Sequence, residues 1–208
     1  MNKKNVMIAT SQLIVCVAII SLGLTACSTS PPVRYFSLSS PVLDGRKDFN
    51  EAVVLGLGPM RMAEYLNRSQ IVTRGAGAEV KVDEFNRWAE PLAVAFHRVV
   101  STDIDNMMDG VSVLAFPWES AVRSQVNYRL LGDVVRFDAD RSGRVVLETQ
   151  WGITETDSGK AVVKPRRTRY ETQAGSPDDP AAVASAMNET LVKFSRDVVS
   201  EIQAVLQE

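Results

Sequence analysis

Val145-Val146-Leu147-Glu148-Thr149-Gln150-Trp151-Gly152-Ile153 is the clearest alternating stretch of the chain. Val145, Leu147, Thr149, Trp151 and Ile153 fall on one side of an extended backbone, and Val146, Glu148, Gln150 and Gly152 on the other. A period of two marks a β-strand. Turn sequences bound it, Arg141-Ser142-Gly143 before and Asp157-Ser158-Gly159 after. Residues 126–137 on the amino side read as a long strand, with Gly132 as a bulge or close approach. Residues 160–173 on the carboxyl side read as the last strand, and Pro165 places it at an edge or bulge.

Beyond this block the period becomes helical. Val183, Met187, Leu191, Phe194, Val198, Ile202 and Val205 recur every three or four residues, which predicts a helix over 180–206. Asp179 is placed to cap it and Pro180 to occupy its first position. A second helix is expected over about 84–108, from Phe85, Trp88, Leu92, Phe96, Val99 and Met107, with Pro91 interrupting its first turns. Asp83 is its expected cap and Gly110 its stop. Further strands are expected at 34–38, at 71–74 and 79–83 as a hairpin, and at 111–116, ended by Pro117. Residues 52–57 form a continuous apolar run suited to a central strand buried on both faces, with Gly58-Pro59 stopping it. Residues 60–66 read as a short helical or turn segment. The fold class is therefore α+β: an antiparallel-rich sheet packed with two long amphipathic helices.

At the amino end, Lys3 and Lys4 precede an apolar run from Leu13 to Leu24, followed by Leu24-Thr25-Ala26-Cys27. A charged start, a short apolar core and small residues before a cut are the layout of a secretory signal. Leu-Thr-Ala-Cys resembles a lipobox, the processing site of bacterial lipoproteins, in which the cysteine is acylated and the preceding peptide removed. The alternative is a retained signal anchor, but the uninterrupted apolar run falls short of the ~20 residues a spanning helix needs. The expected organisation is a lipoprotein signal peptide over 1–26, a lipidated tether over 27–33 and one domain over 34–207. Lipidation falls on Cys27, and this covalent lipid is the only attached group expected; no cofactor is. By resemblance to Gram-negative lipoproteins, Ser28 in place of Asp directs the protein to the outer membrane, on its periplasmic face.

Removing residues 1–26 takes away Lys3 and Lys4 and no acid, so the formal charge of −2 becomes −4. A mildly acidic domain is a poor match for nucleic acid. Of the two cysteines, Cys16 falls in the leader and Cys27 carries the lipid, so the domain is expected to stand on its core without disulfides.

Catalytic patterns are sparse. His97 is the single histidine, within Phe96-His97-Arg98 on a helix and with no nucleophile motif beside it. Zinc-protease, nucleophile-elbow and phosphate-loop patterns are missing. Asp103, Asp105 and Asp109 sit badly at a helix end and lack the spacing of a calcium loop. The protein is expected not to be an enzyme. Lys164, Arg166, Arg167 and Arg169 crowd one strand. Two readings stay open for them: charge that protects an edge strand from pairing, or a contact for an acidic partner or anionic lipid headgroups. Tyr65, Trp88 and Trp118 read first as core aromatics.

Several blocks, in order, resemble the ABC-type transport auxiliary lipoproteins, the PqiC family. Arg34-Tyr35-Phe36-Ser37-Leu38 follows the cysteine closely, and Gly56-Leu57-Gly58-Pro59 leads into Glu64-Tyr65-Leu66-Asn67-Arg68 and Gln70-Ile71-Val72-Thr73-Arg74. Phe85-Asn86-Arg87-Trp88-Ala89-Glu90-Pro91-Leu92 is the most distinctive block, followed by Phe116-Pro117-Trp118, Val135-Arg136-Phe137 and the Trp151 strand. The resemblance implies a fold like the amino-terminal domain of TolB. It implies a non-enzymatic subunit of an intermembrane lipid transport system, working with an inner-membrane component and a periplasm-spanning mammalian-cell-entry (MCE) domain protein. It also implies support of envelope integrity and a possible homo-oligomeric ring. The alternative is a structural lipoprotein that helps assemble another outer-membrane or cell-wall machine. The blocks around Tyr65–Arg68 and Arg87-Trp88 serve either partner docking or only the fold.

Overall fold

The computed structural model describes residues 30–40, 53–118 and 125–207. The expected signal peptide, Cys27 to Thr29 of the expected tether, and residues 41–52 lie outside the described residues. Residues 1–32 and 33–208 are separate units, and the fold below is that of the second.

Eight strands form one sheet: β1 (Arg34–Phe36), β2 (Val53–Met62), β3 (Gln70–Arg74), β4 (Val80–Trp88), β5 (Val111–Ala115), β6 (Tyr128–Ala139), β7 (Arg144–Glu155) and β8 (Ala161–Gln173). Among the described residues two α-helices accompany it, α1 (Leu92–Met107) and α2 (Pro180–Leu206), and a 3-10 turn at Glu64–Leu66 follows β2. The meander β6–β7–β8 is antiparallel throughout. β3 and β4 form the expected hairpin. The remaining pairings, β1 with β4, β2 with β5 and β6, and β3 with β6, are parallel. The sheet is thus mixed: its long strands are antiparallel, while its central strand β2 lies between two parallel neighbours.

Both helices pack together on one face and share one core with the sheet. Phe194 of α2 is fully buried and is the hub of that core. Its ring lies 5.9 Å from Phe96 of α1, 5.8 Å from Trp151 of β7 and 5.8 Å from Tyr170 of β8. Phe96 in turn meets Phe137 of β6 edge to face at 6.1 Å. Edge-to-face and tilted rings at such separations add to simple area burial. α2 begins as its sequence dictates: the Asp179 carboxylate accepts the Ala181 N–H at 3.1 Å, and Pro180 opens the helix.

Two sequence-based boundaries are corrected. Residues 84–88 belong to β4, and α1 starts only at Leu92, after Pro91. Phe85, Trp88 and Leu92 have helical spacing, but Trp88 reaches the core from the end of a strand. The residue before a proline is biased to extended backbone, so Pro91 starts this helix instead of bending it. Asp83 caps no helix; it accepts the N–H groups of Phe85 and Asn86 within the strand, each at 3.0 Å. The second correction concerns Gly58-Pro59, which does not stop β2. The strand passes through a cis Gly58–Pro59 bond with a register shift between Leu57 and Met60, then runs on to Met62. A proline inside a central strand is tolerated at such a bulge, where no ladder hydrogen bond is needed from it.

Candidate functional site

The four basic residues of β8 are placed by the strand's alternation and by the helix beside it. Arg166 faces the helices: its guanidinium lies 4.7 Å above the Trp151 ring and 2.7 Å from Glu201 of α2, with Asp197 at 3.6 Å. Arg167 and Arg169 share the opposite face, as expected, and both reach Glu148 of β7, at 3.5 and 2.5 Å. Arg169 also pairs with Glu171 at 2.6 Å. Three of the four charges are therefore neutralised within the chain. Lys164 has no partner among the described residues. It sits at a bulge where β8 carries an extra residue opposite Gly152, so the expected sharing of a face with Arg166 is broken. Gly152 makes that bulge possible, because a Cβ there would stand 2.8 Å from the Val163 carbonyl oxygen and 3.1 Å from the Pro165 nitrogen.

His97 is structural. Its Nε2 accepts the Met60 N–H at 3.2 Å, holding the backbone just after the β2 bulge. Burial pushes its pKa below the ordinary value, so the imidazole is neutral and its acceptor nitrogen is occupied. Among the described residues no cluster of His, Cys, Asp and Glu is arranged to hold a metal. Asp103 is buried, accepts the Ser40 hydroxyl and faces Ser195 of α2; burial raises its pKa. Asp105 accepts the Val113 N–H at 3.2 Å. The aspartates that sit badly with the helix dipole thus include two that tie α1 to neighbouring backbone and side chains.

Tyr65, Trp88 and Trp118 are packing residues, each with its polar atom or ring engaged. Tyr65 donates to Asp138 at 2.7 Å, and burial together with that carboxylate pushes the phenol up to about 12. Asp138 is fully buried and also accepts from Arg74 at 3.0 Å and Arg136 at 2.7 Å. Trp118 covers Gly56, where a Cβ would stand 2.6 Å from its ring, and donates to the Leu114 carbonyl at 3.0 Å.

Two concavities stand out among the described residues. The first, of about 280 Å³, lies between Asn67, Arg68 and Ser69 on one side and Ala89, Glu90 and Pro91 on the other, with Trp88 beneath. The Trp88 N–H donates to the Ser69 carbonyl at 2.6 Å, which locks the two segments together. Glu90 pairs with Arg98 of α1, and Arg98 also donates to the Leu38 carbonyl at 2.9 Å. The second, of about 410 Å³, is a trough on the sheet face turned away from the helices. Trp151 faces the helices, so strand alternation turns Gln150, Gly152 and Thr154 to the other side. Leu131 and Gly152 are paired across β6 and β7 and form the floor. Pro59 and Pro165, each at a bulge, raise the two banks. Arg61 on one bank is tied to Asp133 by two hydrogen bonds, at 2.6 and 3.0 Å.

The sequence model of the ABC-type transport auxiliary lipoprotein component matches residues 36–199, most of the chain. The chain belongs to this family. It is thus an auxiliary lipoprotein component of ABC-type transport. Among curated proteins none matches. Among solved structures, protein XCC0632 from Xanthomonas campestris is 18% identical with a TM-score of 0.65, over 84% of this chain and 100% of that one. A crystal structure of an uncharacterized protein is 17% identical with a TM-score of 0.68, over 83% of this chain and 99% of that one. These likenesses concern the fold.

Family membership gives the first concavity its interest. Two of the blocks that carry the resemblance, Glu64–Arg68 and Phe85–Leu92, are far apart in sequence and meet at this cleft. In the auxiliary lipoprotein fold, Leu66 and Trp88 of these blocks are buried in the core, while Asn67, Arg68 and Glu90 stand at the surface. The same blocks therefore supply both packing and an exposed rim.

Proposed function

We propose that the protein is a non-enzymatic outer-membrane lipoprotein, acylated at Cys27 and held on the periplasmic face, that docks the MCE-domain protein of an intermembrane lipid transport system. An inner-membrane component completes the partnership, and the expected consequence is support of envelope integrity. The observation that carries this reading is the family match over residues 36–199. The lipobox-like Leu24-Thr25-Ala26-Cys27 supports the tether. Two or more acyl chains hold a protein durably at a bilayer, since each buried methylene contributes ~0.8 kcal/mol. The domain itself needs no other anchor on this reading, and none of the described helices is long and apolar enough to cross a membrane.

The Asn67–Pro91 cleft is the docking face we assign to the MCE protein. It presents Arg68 and the Glu90–Arg98 pair around a small concavity backed by Trp88, a mix of charged rim and apolar base suited to a protein partner. A photoreactive amino acid placed at Arg68 or Glu90 in the cell tests this. An MCE-domain protein is expected as the main crosslinked product from these positions. Crosslinks instead to cell-wall synthases or outer-membrane assembly proteins would replace the transport reading with the structural one.

A further inference from the structure

Several polar atoms at and beside Thr154, a lining residue of the trough, lack partners. Arg129 of β6 is paired in register with Thr154 of β7, which lines the trough. Leu130 points into the core and Leu131 lines the trough, so alternation turns Arg129 to the trough side as well. The Nε of Arg129 and the hydroxyl of Thr154 are both buried without a hydrogen-bond partner. The hydroxyl of Thr156, two residues on along the same ladder, is buried and unpartnered too. Among the described residues Arg129 has no carboxylate beside it, whereas Arg74, Arg136 and Arg166 each have one.

Buried polar groups are nearly always satisfied, and one left open costs free energy. Three unpartnered donors gathered around Thr154, next to the Leu131–Gly152 floor, therefore describe the complement of an anionic head on an apolar body. The trough volume of about 410 Å³ falls within the range of small-ligand sites. A guanidinium matches the geometry of a phosphate oxygen pair, and two hydroxyls donate to the remaining oxygens.

We infer that the trough is a binding site for one anionic phospholipid, with its phosphate on Arg129, Thr154 and Thr156 and an acyl chain along Leu131 and Gly152 between Pro59 and Pro165. The choice of a lipid over free phosphate rests on the transport reading; the site itself rests on the open donors and the apolar floor. It is distinct from the docking cleft, which involves other strands and loops.

The test uses the full chain reconstituted in vesicles that contain phosphatidylglycerol with a photoactivatable acyl chain, followed by peptide mapping of the label. Label is expected on peptides carrying Leu131, Gly152 and Pro165. Arg129→Ala should lower it about tenfold, Arg129→Lys should restore most of it, and Leu131→Trp should block it by filling the floor. Thermal melting of each variant separates lost binding from lost folding, and Leu131→Trp gives a second route if Arg129→Ala is unstable. Excess inorganic phosphate should compete only weakly. Full displacement by phosphate would overturn the lipid assignment. Label spread over the surface, unchanged in folded Arg129→Ala and Leu131→Trp, would overturn the site. Failure of the trough to label while the cleft still crosslinks an MCE protein would remove this inference and leave the docking reading intact. Trough labelling without an MCE partner would support the inference and overturn the docking reading.

Discussion

Replacing Phe194 with alanine removes the ring on which the helices and the meander converge. Phe194 is fully buried and touches Phe96, Trp151 and Tyr170 at ring separations of 5.8 to 5.9 Å. It therefore joins α1, α2, β7 and β8 in one contact set. Phe→Ala changes in cores cost about 3–5 kcal/mol, from lost transfer energy and the cavity left behind. A site held by three large rings from different elements collapses poorly, which places Phe194→Ala toward the upper part of that range, near ~4 kcal/mol. Domains have only about 5–15 kcal/mol to lose, so the variant should remain folded but marginal. For a domain of this size ~4 kcal/mol corresponds to a drop in Tm of about 8–16 °C. Phe194→Leu keeps much of the volume and should cost ~1–2 kcal/mol. Urea unfolding followed by tryptophan fluorescence, to which Trp88, Trp118 and Trp151 contribute, measures both. The midpoint should fall with an unchanged slope, the sign of lost stability without a change in exposed area. A loss below ~1 kcal/mol for Phe194→Ala would refute the placement of this ring at the centre of a single core.

Three further outcomes follow from local geometry. Gly132→Ala would put a Cβ 2.2 Å from the Gln150 carbonyl oxygen and 2.8 Å from the Trp151 Cα; because the obstacles are backbone, a loss above ~2 kcal/mol is expected in the same urea assay, and a neutral result would contradict the close approach of β6 and β7. Asp140 is pushed up by burial but held at about 2 by hydrogen bonds from Ser142 and Arg144 in the β6–β7 turn; its folded pKa is depressed, so the turn's stabilisation is present above the ordinary carboxylate range and is lost as pH falls through about 2, and an NMR titration giving an ordinary aspartate value would contradict it. Asp103 has the opposite sign: burial raises its pKa, so its contribution is fully present below the unfolded carboxylate pKa and is lost as pH rises through the folded value; Asp103→Asn should therefore flatten that decline in urea midpoint with pH, and an unchanged pH profile would contradict the raised pKa.

The elements legible in the sequence are those whose pattern is local. α2 was fixed by seven apolar residues at helical spacing and by Asp179-Pro180, and the structure begins the helix there. The meander followed from the alternation around Trp151 and two glycine turns, Gly143 and Gly159, both of which adopt the left-handed backbone that glycine permits. Legibility failed where two patterns coincide. Phe85, Trp88 and Leu92 have the spacing of a helix face, but β4 carries the first two, and only Pro91 signalled the true start. The parallel pairing of β2 was equally hidden, because an apolar run does not state the direction of its neighbours.

The candidate sites were less legible because they depend on partners distant in sequence. The basic run on β8 is visible as a run, but Glu148, Asp197 and Glu201, which neutralise Arg166, Arg167 and Arg169, arrive from β7 and α2. Arg166 thus ties β8 to α2, and Arg167 and Arg169 tie it to β7. The trough needs a bulge at Gly58-Pro59 and another at Lys164-Pro165, more than a hundred positions apart in the chain. Arg129 carries no signal of its own in the sequence; only its buried, unpartnered Nε marks it.

The central claim, that this auxiliary lipoprotein docks an MCE-domain protein, is tested most directly by in-cell crosslinking of the tagged, full-length protein with mass spectrometry of what is captured. The account predicts an MCE-domain protein as the main partner, with crosslinks concentrated at Asn67–Ser69 and Ala89–Pro91. Recovery of cell-wall synthases or outer-membrane assembly proteins, with no MCE-domain protein among the partners, would contradict it.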